Sequence, residues 1–453
     1  MSVFDLTDER GDSIMGKLKY PASIDWEVTS FCNQNCIHCY NCWRSEEDKT
    51  KDILFNQTVT EDWYLMISKI IASNKPVSVI ITGGEPLSVF WKLDKAIEQL
   101  ISSGIYVSMN TNLTLINDKM AERIKELGIH IFTSIPSADP EICDRITGVK
   151  GSFERIDAGI KLCISYRIPI ATNMVVTKLN LPCIAKTAKY LKSLGLDYFC
   201  CTKAAFPANA KTDLRNEILS YAEFSKVLSD IICIGDTLKM RVDSAWAYSL
   251  CGLVEKQITT FGFKRRCGAG RFNFAITSDG DIKACNVDTK VYGNILVSNF
   301  AEAMNKMSAW QNNEYLPAEC KTCKSLYLCG GGCRLEAENT YGDKCHLDST
   351  SCVSNKERDI RPPDGAMIEE NKLYRLRSDV VFVEENGFFR ISRKSVYEYI
   401  TPSCKTFFDQ FPTFSLSEFR KQLELADELA ALEFSEFLNK SFFIEVQFSG
   451  AVL

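Results

Sequence analysis

The placement of the cysteines constrains this chain more than any other feature of its sequence. Of 453 residues, 20 are cysteine and only 3 are histidine. Nineteen of the cysteines lie at or before position 352, and most of them form three dense groups: Cys32, Cys36, Cys39 and Cys42; Cys267 and Cys285; and Cys320, Cys323, Cys329, Cys333, Cys345 and Cys352. An apolar core does not need such short, regular spacings, so metal ligation by thiolates is indicated. A metal site built from histidines is nearly excluded.

Charge and hydropathy limit the partners of the chain. The formal net charge is -5, whereas a protein that binds the phosphate backbone of a nucleic acid needs clustered lysine and arginine. The first residues lack the apolar region of a secretory signal, and no run of about 18 apolar residues follows. We therefore expect a cytoplasmic protein that binds neither nucleic acid nor membrane, and whose cysteines are reduced.

Residues 21–250 have the pattern of an α/β fold. Amphipathic helical segments separate six β-prone runs, which are Ile24 to Val28, Val77 to Thr82, Tyr106 to Asn110, Ile129 to Ile135, Ile170 to Thr177 and Tyr198 to Thr202. Six β-α repeats predict a partial (β/α)6 barrel with a parallel sheet. Chemistry in such barrels gathers at the carboxyl ends of the strands, so motifs that directly follow strands are the candidates for the site.

Composition changes mark the predicted domain boundaries. The stretch Arg361-Pro362-Pro363-Asp364-Gly365 breaks regular structure, and 13 of the 27 phenylalanines follow position 360. We divide the chain into an N-terminal arm at 1–20, the barrel at 21–250, a cysteine-rich domain at 251–360 and a C-terminal domain at 366–453.

Two motifs follow the first two predicted strands. Cys32, Cys36 and Cys39 have the spacing CxxxCxxC on one loop, and three thiolates there would bind three irons of a cubane cluster and leave the fourth iron open. Zinc is the alternative for these residues, with Cys42 as a fourth ligand. The second strand runs into Gly83-Gly84-Glu85-Pro86, where paired glycines allow close backbone approach to a ligand and Glu85 offers a carboxylate to an ammonium group.

With these motifs, residues 21 to about 205 resemble the core of a radical S-adenosylmethionine (SAM) enzyme. The resemblance implies that Cys32, Cys36 and Cys39 hold the radical-generating cluster, whose cleavage of S-adenosylmethionine yields a 5'-deoxyadenosyl radical. The cofactor-binding positions that it implies are His38, Gly83, Gly84, Glu85, Pro86, Asn112, Ser134 and Arg145. For the region of the last two, a helix cap at Ser152 and a surface ion pair at Arg145 are the alternative interpretations.

The second cysteine system, from Cys267 to Cys352, resembles the SPASM domain, which carries auxiliary clusters in many peptide-modifying radical enzymes. By this resemblance the first auxiliary cluster is held by Cys267, Cys285 and Cys333, and the second by Cys320, Cys323, Cys329 and Cys352. Cys251 is a candidate to complete the first cluster, which otherwise has an open iron, and Cys345 is an alternative last ligand. Asn286 stands where the sulfatase-maturing branch has an aspartate base, which argues against that branch. A pair of zinc knuckles is the alternative.

The C-terminal domain is predicted to be a small α+β unit. Asn386-Gly387 between the apolar runs 374–383 and 388–391 indicates a hairpin. Helical patterns follow at 403–411, 415–425 and 428–438, and an apolar run ends the segment at 442–446. The pattern resembles the winged-helix element that binds the leader of a precursor peptide by adding it as a strand. A helical cap or a dimerisation piece is the alternative.

The resemblance implies a peptide maturase with S-adenosylmethionine and three iron–sulfur clusters of the 4Fe-4S type. Its expected product is a thioether or a carbon–carbon crosslink in a ribosomally made precursor peptide. Its electrons would come from an external reductant such as flavodoxin or ferredoxin. The rivals are a peptide epimerase that uses Cys200 or Cys201 as hydrogen donor, an oxidase of a non-peptide substrate, and a non-catalytic electron carrier or zinc scaffold.

Overall fold

A computed structural model describes residues 20–41, 57–208, 214–261, 266–323, 326–351, 369–385, 387–426 and most of 430–446. Its contacts divide the chain into two compact units. The larger unit comprises residues 23–74 and 79–360, and the smaller unit comprises 1–22, 75–78 and 361–453. Cys42, Cys352 and the predicted break at 361–365 lie outside the described residues.

The larger unit is built on one ten-stranded sheet. Its strands are β1 (Ser23–Thr29), β2 (Ser78–Gly83), β3 (Tyr106–Thr111), β4 (His130–Ser134), β5 (Ile170–Val176), β6 (Tyr198–Lys203), β7 (Arg241–Asp243), β8 (Asn273–Thr277), β9 (Asp281–Lys283) and β10 (Gly293–Asn294). The order across the sheet is β10-β9-β8-β1-β2-β3-β4-β5-β6-β7. The predicted α/β class with its mostly parallel sheet is thereby confirmed.

Helices connect the strands of the larger unit from β1 to β8, and further helices follow β10. They are α1 (Glu61–Ser73), α2 (Phe90–Ser102), α3 (Asp118–Leu127), α4 (Pro140–Thr147), α5 (Ser152–Ser165), α6 (Ile184–Ser193), α7 (Leu214–Glu217), α8 (Tyr221–Leu238), α9 (Glu255–Phe261), α10 (Phe300–Asn305), α11 (Ser308–Gln311), α12 (Ala318–Lys321), α13 (Leu326–Cys329) and α14 (Arg334–Tyr341), with 3-10 turns at Pro86–Val89 and Leu181–Cys183. None of the helices in the described part of the chain is long and apolar enough to cross a membrane.

Burial on both faces of the sheet explains its strand sequences. Ile24, Trp26 and Val28 of β1 have no exposed surface, and Asp25 and Glu27, which alternate with them, are buried as well. A strand covered on both faces is expected to be apolar throughout, so two buried carboxylates in β1 are unusual. They lie in the strand that leads directly into the first cysteine loop.

The strands beyond β6 depart from the sequence prediction. β7 pairs in parallel with β6 at one edge, and β8 pairs in parallel with β1, with Ser23 opposite Asn273 and Glu27 opposite Thr277. The segment assigned to a separate cysteine-rich domain therefore contributes strands to the barrel sheet. The cause is that β8, with the sequence NFAIT and a buried centre, covers the β1 edge that six repeats alone would leave open.

The smaller unit packs an aromatic core against antiparallel strands. β12 (Val381–Glu385), β13 (Phe388–Arg393) and β14 (Val396–Ile400) form one sheet, while β11 (Tyr374–Leu376) pairs with β15 (Phe443–Glu445). Two helices, α15 (Pro402–Gln410) and α16 (Leu416–Gln422), are preceded by the side-chain caps Thr401 and Ser415. The core contains Phe407, Phe408, Phe414, Phe419, Phe434, Phe437 and Phe443.

β12 and β13 pair as the predicted hairpin, with Glu385 opposite Phe388, and Asn386 of the predicted turn lies outside the described residues. The run 374–383 is not one strand, because β11 and β12 belong to different sheets. β14 was not predicted. Arg390 of β13 forms a buried ion pair with Glu385 and donates to the carbonyls of Pro21 and Lys75, which attaches two distant chain segments to this unit.

Candidate metal centres

The first cysteine group lies on the loop that directly follows β1. Cys32, Cys36 and Cys39 are all half-buried. The Cys39 backbone N–H donates to the Cys36 carbonyl at 3.2 Å, which tightens the loop, and the Gln34 N–H approaches the Cys32 sulfur at 3.4 Å. The three thiols of the sequence motif therefore lie on one short loop that backbone contacts hold after β1.

The glycines of the second motif serve this loop directly. Gly84 donates its N–H to the Thr29 carbonyl at 2.6 Å, and Glu85 donates to the Phe31 carbonyl at 2.7 Å. A Cβ on Gly84 would lie 1.9 Å from the Phe31 oxygen. The sequence suggested that the glycines allow close approach of a ligand. In the structure they allow close approach of the backbone segment that leads to Cys32.

The Glu85 carboxylate, which follows β2, connects the ends of β2 and β3 by hydrogen bonds. It is fully buried and accepts hydrogen bonds from the Thr111 hydroxyl, the Asn112 N–H and the Leu87 N–H. Burial raises the pKa of Glu85 to about 7, against the lowering effect of these donors. A carboxylate has about four acceptor positions, so one remains for a ligand cation.

Asn112 connects this junction to the cysteine loop. Its side-chain amide approaches the Cys32 sulfur at 3.7 Å and donates to the Asn33 side chain at 3.0 Å. His38 lies within the loop with its Nε2 enclosed, and burial lowers the pKa of its imidazole to about 4, so the ring is neutral at pH 7. Pro86 is buried and begins the 3-10 turn.

The predicted cofactor-binding residues Ser134 and Arg145, and the alternative helix cap Ser152, lie on β4, α4 and α5. Ser134 is half-buried at the end of β4, and Arg145 is exposed on α4. Ser152 does not cap α5, because the Asp144 carboxylate accepts the N–H groups of Gly151, Ser152 and Phe153. The Ser152 hydroxyl instead accepts from the Gln34 side chain at 3.1 Å.

The carboxyl end of α4 also supports the cysteine loop. Asn35 donates to the Thr147 carbonyl at 2.8 Å, and Ile37 donates to the Ile146 carbonyl at 2.9 Å. The loop is thus held from the β2 turn on one side and from α4 on the other. Sequence reasoning missed this support, since backbone contacts between distant segments leave no residue pattern.

The fit of a cluster and its cofactor can be judged from the groups around this loop. Three thiols and an acceptor position on Glu85 suit an iron cluster and an ammonium group. His38 Nε2 and both amide atoms of Asn41 are buried without a hydrogen-bond partner in the described part of the chain. Buried polar groups require partners, so a bound polar molecule at this loop fits the residues present.

The second cysteine system begins with an open cavity of about 250 Å³. Cys267, Cys285 and Cys333 line it together, as do Asn286 and Trp246. Cys267 and Cys333 are close enough to Cys285 that their negative charge, added to burial, raises its pKa. The sequence separates these cysteines by up to 66 positions, and the structure brings them to one cavity that suits an iron–sulfur cluster.

The remaining cysteines form a neighbouring group. Burial and the charge of Cys329 raise the pKa of Cys320 to about 12, with smaller contributions from Cys251 and Cys323. Gly330, Gly331 and Gly332 all have positive φ, and the Gly331 backbone hydrogen-bonds the Cys329 sulfur. Cys345 is exposed, and its thiol donates to the Glu314 carbonyl at 3.6 Å. Among the described residues, no three metal-ligating side chains converge on a position for a single metal ion.

Two buried ion pairs near these groups were not anticipated. Lys283, two positions before Cys285, pairs with Glu27 of β1 at 2.7 Å. Lys203 at the end of β6 pairs with Glu336 of α14 and donates to the Thr350 hydroxyl at 3.1 Å. Each pair joins a barrel strand to the cysteine-rich segment. A lone lysine in a strand gives no sequence signal of its partner.

Comparison with known families matches the first cysteine system and the first part of the second. Residues 26–191 match the profile of the radical SAM superfamily, and residues 267–324 match that of the SPASM iron–sulfur cluster-binding domain. These matches confirm the resemblance read from the motifs and the cofactors that it implies, S-adenosylmethionine and iron–sulfur clusters.

Individual relatives include enzymes with different substrates. The chain is 25% identical over 342 residues to the AdoMet-dependent heme synthase of Methanosarcina barkeri, covering 71% of this chain and 94% of the relative. It is 23% identical over 356 residues to the PqqA peptide cyclase of Rhizobium meliloti, covering 75% and 88%. The solved structure of anSMEcpe with bound AdoMet and Cp18Cys peptide has a TM-score of 0.58 at 20% identity, covering 72% of this chain and 93% of that one, which shows a shared fold.

Proposed function

Because the chain carries a radical SAM domain at residues 26–191 and a SPASM domain at residues 267–324, we propose that it is a peptide maturase. It would form a thioether or carbon–carbon crosslink within a ribosomally made peptide. The observation that carries the proposal is the open cavity lined by Cys267, Cys285 and Cys333. Three thiolates leave a fourth coordination position for a thiol of the substrate.

The first cysteine loop would serve radical generation. Cys32, Cys36 and Cys39 would hold the cluster, and Glu85 would accept from the amino group of S-adenosylmethionine. When bound, these cofactors supply a 5'-deoxyadenosyl radical that removes a hydrogen atom from the substrate. The chain itself positions the cysteine loop. The Gly84 N–H donates to the Thr29 carbonyl at 2.6 Å and the Glu85 N–H donates to the Phe31 carbonyl at 2.7 Å.

An external protein would supply the electrons for this chemistry. We propose a low-potential carrier such as flavodoxin or ferredoxin. The thiols of the two auxiliary groups would hold clusters that accept the electron released when the modified residue is oxidised. Hydrogen bonds from backbone amides tune the potential of such clusters, and the Gly331 backbone hydrogen bond to Cys329 is of this kind.

The smaller unit would bind the leader of the precursor. Within its described residues, β12 and β14 are the outer strands of a three-stranded sheet. Val381 of β12 is 55% exposed, although large apolar residues at sheet edges are usually covered or replaced by charge. A leader that adds as a strand beside β12 would bury this side chain and pair with the outer edge.

Two rival functions differ in how well the structure suits them. Cys200 and Cys201 are 1% and 0% exposed, and burial raises the pKa of Cys201 well above its ordinary value. Thiols so enclosed in the sheet are poorly placed to return hydrogen to a peptide, which disfavours epimerisation. Oxidation of a non-peptide substrate is the second candidate, because the AdoMet-dependent heme synthase resembles the chain over 94% of its own length.

Mass analysis tests the proposed function. The holoenzyme is co-expressed with the product of a short open reading frame beside its gene, and the peptide is examined for loss of hydrogen and formation of a crosslink. The triple variant Cys32→Ala, Cys36→Ala, Cys39→Ala should produce no 5'-deoxyadenosine and no modified peptide. An unmodified peptide, together with 5'-deoxyadenosine production stimulated by a porphyrin, would favour the second candidate.

Leader binding has a separate test in the smaller unit. Val381→Lys places a charge on the outer edge of β12 and should weaken binding of the precursor at least tenfold in a fluorescence titration. Val297→Lys is the matched control, because Val297 is 85% exposed in the larger unit. Equal affinity of both variants and the unaltered protein would contradict leader binding at β12.

A further inference from the structure

Two carboxylates of β1 have no role in the proposed function as described so far. Asp25 and Glu27 are two positions apart in one strand, so both side chains lie on the same face of the sheet. They are 8% and 3% exposed. Carboxylates are rarely buried unless they are paired or take part in chemistry, so both require an explanation.

Lys283 of β9 is the charged partner of these carboxylates. Its Nζ lies 2.7 Å from Glu27 Oε2, and its positive charge also acts on Asp25. One lysine does not satisfy two carboxylates, and Glu27 Oε1 is buried without a hydrogen-bond partner in the described part of the chain. An unpaired buried oxygen of this kind is available to accept a proton.

The two carboxylates have neighbours at both cysteine systems. The Asn273 side chain hydrogen-bonds the Asp25 carboxylate and lines the open cavity of the second cysteine system. After burial, the charge of Glu27 is the largest cause of the raised pKa of Tyr40, which directly follows Cys39 in the first cysteine loop. A substrate that reaches from one system to the other would therefore pass close to these carboxylates.

The proposed crosslink releases a proton that needs an acceptor. Joining a C–H carbon to a thiol, or to a second C–H carbon, removes two hydrogens from the peptide. One leaves as a hydrogen atom to the 5'-deoxyadenosyl radical. The other leaves as a proton and an electron, and the electron passes to the auxiliary clusters. A base beside the substrate must take the proton.

We propose that Glu27 accepts this proton, with Lys283 holding its carboxylate in place. The inference rests on the proposed peptide crosslinking. Burial raises the pKa of Glu27 to about 7, Lys283 opposes the rise and Asp25 adds to it. A carboxyl with this pKa both takes up and releases a proton at neutral pH. The charged or titratable groups that act on it or face it are Asp25, Lys283 and Tyr40.

The pH dependence of the unaltered holoenzyme tests the proposal. The peptide product of the short open reading frame beside the gene is the probe, and crosslink and 5'-deoxyadenosine are measured in the same reaction. The ratio of crosslink to 5'-deoxyadenosine should rise as pH increases through about 7, because only ionised Glu27 accepts a proton. Glu85, whose pKa is also about 7, affects both products alike and cancels in the ratio. A ratio that stays constant with pH would overturn the proposal.

Substitutions at Glu27 separate proton transfer from a structural role. Glu27→Gln should retain 5'-deoxyadenosine formation and lower the crosslink formed per 5'-deoxyadenosine about a hundredfold. Glu27→Asp keeps a carboxylate and should restore much of that yield. Because Glu27→Gln leaves Lys283 buried without its charged partner, the double variant with Lys283→Met removes the pair together and should show the same loss of crosslink.

Asp157→Asn is the matched control, because Asp157 pairs with Lys161 on α5 at 2.8 Å. If Glu27→Gln and the double variant formed as much crosslink as Asp157→Asn, the role of Glu27 would be refuted and the peptide chemistry would stand. Loss of 5'-deoxyadenosine in both Glu27 variants would assign the carboxylate to radical generation and overturn the proposal as well. Absence of crosslink from the unaltered holoenzyme would instead refute the proposed function on which the inference rests.

Discussion

Replacing Gly84 by alanine should separate the two motifs that the fold holds together. The added Cβ would lie 1.9 Å from the Phe31 oxygen and 2.4 Å from its carbonyl carbon. An ordinary carbon–oxygen contact is about 3.3 Å, so the two backbones must part by about 1.4 Å. The hydrogen bonds from Gly84 to Thr29 and from Glu85 to Phe31, now 2.6 and 2.7 Å, would lengthen to about 4 Å and be lost.

The loss of two hydrogen bonds corresponds to about 2 kcal/mol at their typical net value. Much of this energy now positions the loop that carries Cys32. We therefore expect Gly84→Ala to reduce 5'-deoxyadenosine production at least tenfold and to lower S-adenosylmethionine affinity measured by calorimetry.

Gly104→Ala is the control for general destabilisation. Gly104 has φ of +80°, and a Cβ there would meet no atom within 4 Å, so the change strains the backbone by about 1 kcal/mol without moving the site. If Gly84→Ala kept the iron content, cofactor affinity and 5'-deoxyadenosine yield of Gly104→Ala, the coupling between the two motifs would be refuted.

Three further predictions concern buried charges. Glu85→Gln should weaken S-adenosylmethionine binding at least tenfold in calorimetry, because a neutral amide cannot make a charge-assisted hydrogen bond to the amino group of the cofactor, and unchanged affinity would contradict the role of the carboxylate. Lys203→Met should lower the free energy of unfolding in urea by about 3 kcal/mol, since it leaves Glu336 buried and unpaired, whereas adding Glu336→Leu should recover most of the loss. A double variant as unstable as the single one would argue against that explanation. Burial raises the pKa of Asp25 to about 6, so its carboxyl holds a proton in the folded chain at a pH where the unfolded chain has released it. The stability that Asp25 contributes should be lost as pH rises from about 4 through about 6, and Asp25→Asn should flatten that part of the thermal midpoint profile. An equal slope in both proteins would contradict the assignment.

The candidate site was predictable to the extent that local spacing determines it. CxxxCxxC and Gly-Gly-Glu-Pro are short motifs, and their chemistry follows from thiolates and a carboxylate at strand ends. The contacts that position them were not predictable. Glu85 accepts from Thr111 and Asn112, which are 26 and 27 positions away, and no periodicity in the sequence reports such a pairing.

The domain organisation shows the same limit. Composition predicts a boundary near position 361, whereas β8 joins the barrel sheet beside β1, although it lies about 250 residues later in the chain. In the same way Arg390 attached the segments at Pro21 and Lys75 to the smaller unit. Strand pairing satisfies backbone groups wherever an open edge exists, so it is indifferent to distance along the chain.

The sequence by itself indicated metal bound by thiolates, because twenty thiols and three imidazoles leave little choice of metal ligand, and the resemblance carried by its motifs implied iron–sulfur clusters. It also determined the six β-α repeats, since alternating apolar periodicity is a local property. The resemblance already grouped Cys267, Cys285 and Cys333, whereas only the tertiary structure decided which other groups surround these thiols. Cys285 and Cys333 line one cavity, and the Ser249 hydroxyl contacts the sulfurs of both Cys251 and Cys329. The ligands of a metal site must lie close in space. In the unfolded chain they are far apart, so only folding sets the distances between them.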